Sequence, residues 1–259
     1  MEFLDLLPVS LLSLAFLVGM AFTAGFVDSI AGGGGLIALP ATLLVGIPPH
    51  ACLGTNKFMS SFGTTAACIN YARSGAVVWR VVLIGIGFSL LGASLGAKAV
   101  LFIDNSILGK VMLVLLPIAA ASTFMPIRKE LAGREIPPLL LYICTPLVCL
   151  AIGFYDGFFG PGTGSFLLLG LHFALGMNLV AASATAKPFN LASNVASMVV
   201  FIVNGQVLYL VAIPMAVANI AGNILGSRMA LKKGSGVVRK MLIVSLALLF
   251  ATLVWRYYA

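Results

Sequence analysis

Gly25-Phe26-Val27-Asp28-Ser29-Ile30-Ala31-Gly32-Gly33-Gly34-Gly35 puts one acid and four consecutive glycines in the middle of apolar sequence. A second stretch repeats it: Gly153-Phe154-Tyr155-Asp156-Gly157-Phe158-Phe159-Gly160-Pro161-Gly162-Thr163-Gly164. A shift of 128 residues pairs Gly25 with Gly153, Phe26 with Phe154, Asp28 with Asp156, Gly32 with Gly160 and Gly34 with Gly162. Glycine is a poor helix former because it loses the most backbone freedom when ordered. An acid beside a helix break, twice in one hydrophobic chain, decides how the rest is read.

The surrounding chain is 61% hydrophobic and 8% charged. A soluble domain carries roughly 25% charged residues, so this chain cannot cover a water-facing surface and reads as an all-α polytopic membrane protein whose solvent is the lipid bilayer. Residues 8–27, 157–186 and 188–227 hold no charge. A helical span needs about 20 apolar residues, so 188–227 crosses twice and turns near Asn204-Gly205. The net charge of +8 could suggest a nucleic-acid partner. The basic residues sit singly or in small groups between hydrophobic segments, which is membrane topology signalling and argues for no nucleic acid. Cys52, Cys68, Cys144 and Cys149 lack Cys-x-x-Cys spacing and read as packing residues. Glu2 and Asp5 stand where a signal peptide would be basic, so no cleavable leader is expected.

The first half reads as segments at 8–27, 36–46, Gly54 to about Ala72, 77–100 and 107–125. A charged connector, 128–135, follows with Arg128, Lys129, Glu130, Arg134 and Glu135. The second half gives 136–155, Ser165 to about Leu175, Ser183–Val203, Val207–Ala230 and Val237–Trp255. Past the second glycine run the shift becomes 130, pairing Thr55 with Thr185, Lys57 with Lys187, Gly75 with Gly205, Gly92 with Gly222, Gly96 with Gly226 and Lys110 with Lys240. The chain therefore divides into repeats at 1–127 and 136–259. Charge decides their relative orientation. With five segments per repeat, Arg73, Arg80, Arg128, Lys129, Arg134, Arg228, Lys232, Lys233, Arg239 and Lys240 share one side, ten against the three at Lys98, Lys110 and Arg256. With four, the split is seven against five. The positive-inside rule selects two inverted repeats of about five membrane segments, both termini outside. The pieces after the glycine runs are short for full crossings, so broken helices meeting within the membrane are expected.

A helix that starts inside the bilayer leaves N–H groups to be satisfied by protein, water or ligand. They carry the positive end of the helix dipole and make an anion site when they face a cavity. Inverted-repeat transporters place substrate between two such breaks. The candidate substrate-binding residues are accordingly Gly33, Gly34, Gly35, Gly162, Thr163 and Gly164. Glycines can also serve close helix packing alone, and that reading is preferred for Gly92-x-x-x-Gly96 and Gly222-x-x-x-Gly226. Lys57 and Lys187 sit at matching positions inside apolar helices, with Thr55, Thr185, Asn56, Asn190 and Asn194 close by. Intramembrane ionisable groups are functional by default. The lysines either hold an anionic head group or form ion pairs, Lys57 with Asp28 and Lys187 with Asp156. His50 and His172 have no counterpart in the repeat and read as no metal ligand. His172 is a core or pore-lining residue.

The first glycine stretch followed by Gly54-Thr55-Asn56-Lys57, and the second followed by Ser183-Ala184-Thr185-Ala186-Lys187 and Asn190, resemble the paired signatures of the TauE/SafE family of sulfite-exporter-like permeases. The resemblance spans essentially the full chain with no departure in either motif. It implies a carrier in the bacterial inner membrane for small anions, often sulfite, sulfonates or sulfoacetate. The expectation is thus a secondary transporter with no cofactor and no catalytic residue. It would work by alternating access, with H⁺ or Na⁺ coupling through Asp28 and Asp156. No nucleotide-binding loop is present. A passive anion channel on the same fold is the alternative. An intramembrane aspartyl protease using Asp28 and Asp156 fits poorly, because those enzymes place glycines before the second aspartate and here they follow both.

Overall fold

The structure, a computed structural model, describes residues 9–112, 138, 140–234, 236–237 and 240. The connector at 128–135, most of the expected segment at 107–125 and nearly all of Val237–Trp255 lie outside the described residues. Eight helices are used below: α1 (Leu11–Ala31), α2 (Gly35–Leu44), α3 (Pro49–Arg73), α4 (Trp79–Val100), α5 (Thr145–Phe158), α6 (Thr163–Leu175), α7 (Leu179–Val203) and α8 (Tyr209–Lys233). A π-helical turn, Leu140–Cys144, leads into α5. There is no strand among the described residues.

Among the described residues, five helices are long and apolar enough to cross a membrane: α1, α4, Leu141–Phe158, α7 and α8. The 25-residue α3 is long enough, but His50, Asn56, Lys57 and a run of hydroxyl residues dilute its apolar character. The short helices α2 and α6 have 10 and 13 residues. At 1.5 Å per residue they reach about 15–20 Å, roughly half to two-thirds of a hydrocarbon core. The first helix runs further than the sequence suggests. It continues through Asp28 and stops at Gly32, whose φ of 80° ends the ladder. Gly160 does the same after α5, with φ of 94°. Asp28 and Asp156 therefore lie inside the last turns of α1 and α5, not after them.

The long helices pack in reciprocal pairs. A Cβ at Gly222 would fall on the Phe22 carbonyl and one at Gly226 on the Phe26 carbonyl, so α8 runs alongside α1 in the same direction. Likewise Gly92 meets the Leu150 carbonyl and Gly96 the Phe154 carbonyl, so α4 runs alongside α5 in the same direction. Both glycine pairs are helix-contact faces, as expected from small-xxx-small spacing. On α3, Gly63 lies against Asn219 and Asn223 while Asn70 bonds Ser227, which makes α3 parallel to α8. Gly54 meets Phe201 and Gln206 whereas Lys57 and Thr64 meet Asn194, so α3 and α7 are antiparallel. Since α1 and α3 both run with α8, the chain must travel back between them. The helix α2 carries that return, folding along α1 so that Gly34 sits against Ala24 and Asp28.

Two apolar cores result, one around each short helix. Leu36, Ile37, Ala38 and Leu39 of α2 are closed over by Phe159 and Phe201 from the second half. Leu167, Leu168, Leu169 and Leu171 of α6 are closed over by Ile30, Ala31 and Tyr71 from the first.

Candidate functional site

The two helix breaks meet. Ser165 donates its N–H to the Gly32 carbonyl at 3.3 Å and its hydroxyl to the Ala31 carbonyl at 2.6 Å. Gly35 packs on Pro161, and Gly32 and Gly164 are in backbone contact that no side chain could share. Between the breaks lies a polar cavity of about 20 Å³, room for one water molecule.

Among the expected site residues, Gly35, Asn56, Lys57, Thr163, Gly164, Asn190 and Asn194 line this cavity, together with Asp28 and Asp156. Gly32, Ser60 and Gly160 line it as well and were not singled out from sequence. The 128-residue shift had already aligned Gly32 with Gly160, and Ser60 lies one turn beyond Asn56 on the same helix face. Gly33, Gly34 and Gly162 do not line the cavity. Gly34 donates its N–H to Asp28 Oδ1 at 3.3 Å, and Gly162 adopts φ of 80° ahead of α6. Gly35 and Gly164 remain the cavity-lining glycines near the starts of α2 and α6. Their N–H groups have no acceptor among the described residues.

The ion pairs correct the sequence reading. Lys57 pairs with Asp156 at 2.6 Å, and Lys187 with Asp28 at 3.2 Å. Each lysine holds the aspartate of the other half rather than its own. The cause is the helix arrangement: α3 lies against α7 and the two breaks meet, so the Lys57 ammonium arrives at Asp156 in the last turn of α5. The Lys57 ammonium also donates to Asn194 Oδ1 at 3.1 Å, and Ser193 donates its hydroxyl to Asp156 Oδ2. Lys187 donates to the Asp28 main-chain oxygen as well as to its carboxylate. Asn194 is further tied to Asn190 Oδ1 at 3.2 Å. Asn56 Oδ1 is buried and has no hydrogen-bond partner among the described residues.

Thr55 and Thr185 sit away from the cavity and do another job. Thr55 Oγ1 accepts the Leu208 N–H at 3.2 Å, and Thr185 Oγ1 accepts the Val78 N–H at 3.0 Å. Leu208 and Val78 are the N-caps of α8 and α4. The two threonines therefore satisfy helix-terminal donors that would otherwise be left unpaired. The histidines are likewise structural: His50 Nε2 bonds the Val100 carbonyl at 3.1 Å and His172 Nδ1 the Met177 carbonyl at 2.6 Å. All four cysteines are free, with Cys52 and Cys149 buried.

Relatives place this architecture. The chain is 38% identical over 249 residues to a "Probable membrane transporter protein" of Haemophilus influenzae, covering 95% of this chain and 96% of that one. It is 42% identical over 241 residues to "Probable membrane transporter protein ORF9" of a Sinorhizobium species, covering 91% and 90%. It is 35% identical over 256 residues to "Probable membrane transporter protein YfcA" of Escherichia coli, covering 98% and 94%. No solved structure matches the chain. An all-helical bundle with paired charges where two helix breaks meet is, in this company, a membrane transporter. The family profile described as "Sulfite exporter TauE/SafE" matches residues 17–253, and the chain belongs to that family.

Proposed function

We propose that the protein is a secondary transporter of a small anion, with sulfite or a small sulfonate as the expected substrate class, seated in the bacterial inner membrane. One observation carries the anion reading. The helices α2 and α6 begin at a shared cavity, and cavity-lining Gly35 and Gly164 have N–H groups without acceptors among the described residues. Such N-termini favour negative charge. The family description supplies the sulfur oxyanion.

Alternating access between two inverted repeats, 1–127 and 136–259, is the mechanism this reading implies. Its support is the running direction of the helices: α3 and its sequence counterpart α7 are antiparallel, while α4 runs with α5 and α8 runs with α1. A cavity of about 20 Å³ is too small for sulfite, so the two halves must separate to admit substrate. That favours a carrier over a standing channel. H⁺ or Na⁺ is the expected coupling ion.

A thermal-shift screen of purified protein against sulfite, sulfate, small sulfonates and carboxylates tests the substrate class, because a ligand bound only by the folded state raises Tm by mass action. The best ligand then goes into proteoliposomes. Accumulation against its electrochemical gradient is the expected result; strict equilibration would establish the channel instead.

A further inference from the structure

Resting on the carrier reading above, we propose that each anion is accompanied by one proton, that the proton binds the Asp28 carboxylate, and that the Lys57–Asp156 pair stays ionised throughout. The two ion pairs occupy matching positions but are built unequally. Asp156 and Lys57 are both 2% exposed, 2.6 Å apart, and Ser193 holds the second carboxylate oxygen. Asp28 is 16% exposed, its contact with Lys187 is 3.2 Å, and among the described residues its other oxygen receives only the Gly34 N–H at 3.3 Å. Sequence explains the inequality. The shift of 130 that pairs Lys57 with Lys187 sets Gly63 opposite Ser193 and Thr64 opposite Asn194. The first half has no hydroxyl at the place from which Ser193 serves Asp156.

Charge supplies the coupling. Asp28, Asp156 and Lys57 line the cavity and Lys187 stands behind it on Asp28. The four charges sum to zero, so a monoanion entering alone leaves an uncompensated charge in low dielectric, which is costly. A proton from water that joins Asp28 Oδ2 makes a neutral carboxylic acid. Lys187 stays an ammonium, held by the Asp28 main-chain oxygen, and the N–H that had bonded Oδ2 turns to the anion. No bond within the anion is made or broken. On release, the anion leaves, the proton follows, and Lys187 returns to Oδ2. The groups near Asp28 are few. From α7 comes Lys187, from α3 Lys57 and the Tyr71 hydroxyl on the adjacent Ser29 carbonyl, and from α5 Asp156. Cys68 of α3 lies toward Lys187. From α2 comes main chain, and α6 and α8 present neutral groups there, with Asn219, Asn223 and Ser227 on the α8 face.

Infrared difference spectroscopy of the full-length protein across an acid titration reads the proton without any substrate. Wild type should gain one buried carboxylic-acid C=O band. Asp28→Asn should lose it, and Asp28→Glu should restore it at a shifted frequency. The paired replacement of Lys57 by Met and Asp156 by Leu, which removes both charges together, should keep it. A band that survives Asp28→Asn, or that disappears with the Lys57–Asp156 pair, overturns the assignment. Methanesulfonate, whose charge does not change with pH, then tests the coupling in proteoliposomes. Its uptake should rise on acidifying the outside, and the rise should vanish in Asp28→Asn. Uptake indifferent to pH in wild type overturns the coupling. No methanesulfonate movement at any pH, with the band intact, overturns the carrier reading and leaves the proton site standing.

Discussion

The contact of α1 with α8 and that of α5 with α4 are one backbone arrangement filled in two ways. Both rest on a glycine pair spaced by three residues, Gly222 and Gly226 in one and Gly92 and Gly96 in the other. Beyond that they part. The α8 face adds Asn219, Asn223 and Ser227, all buried; Asn219 bonds the Ala21 carbonyl and Ser227 receives Asn70. At the matching positions α4 has Ser89, Ala93 and Ala97, and only Ser89 makes a side-chain bond, to the Phe189 carbonyl. The difference teaches that close backbone approach is the shared requirement of the two halves, and that polar filling is optional. In a bilayer this is expected, because lipid offers helices no hydrophobic drive to associate and packing carries the contact.

The strongest way to break the comparison is to widen the glycines. Gly96→Val and Gly222→Val should each prevent recovery of monodisperse protein, since the new Cβ falls on a backbone carbonyl that cannot move alone. Gly87→Val, on α4 but facing open space, should fold within about 0.5 kcal/mol of wild type. Equal outcomes for Gly87→Val and Gly96→Val in detergent chromatography would remove packing as the explanation.

The lysines come next. Lys57→Gln strands Asp156 at 2% exposure and should cost about 3–5 kcal/mol in thermal unfolding. Lys187→Gln strands Asp28 at 16% exposure, where water can reach, and should cost clearly less. A larger loss at Lys187 would reverse the ranking of the two pairs. Smaller still, Thr55→Val and Thr185→Val should each cost about 1 kcal/mol, the usual worth of a lost cap, and should do so equally. They should leave the affinity for the best ligand of the thermal-shift screen unchanged, because neither lines the cavity. The smallest effect falls on the polar face: Asn223→Ala should cost about 0.6 kcal/mol or less, as its Oδ1 has no partner among the described residues.

Much of this was legible in the sequence because it is local. The shift of 128 marked the breaks, charge-free runs marked the long helices, and Asn204-Gly205 marked a turn where Gly205 takes φ of 66°. The partner of each lysine was not legible. Asp28 and Lys57 lie in one repeat and read naturally as a pair; only the antiparallel contact of α3 with α7 shows that Lys57 belongs to Asp156. The threonines misled for a related reason. A polar side chain two residues before an intramembrane lysine resembles a ligand. Its true acceptor role, toward Leu208 and Val78, depends on where the next helix begins in space. Ser193 was invisible as a positioning group because nothing in one dimension places it beside Asp156.

The crossed lysine–aspartate pairing also has a history written into it, set by synthesis from the N-terminus. The ribosome delivers Asp28 and Lys57 to the bilayer before Asp156 and Lys187 exist. Until α5 and α7 arrive, each is a lone charge in hydrocarbon, carrying a penalty of about 2.5–3.5 kcal/mol on insertion scales. The newborn first half is therefore an unfinished object with two open valences, and they are answered only from the second half. The contacts at the centre of the molecule wait for α7, and only after them can α8 settle against α1 and α3.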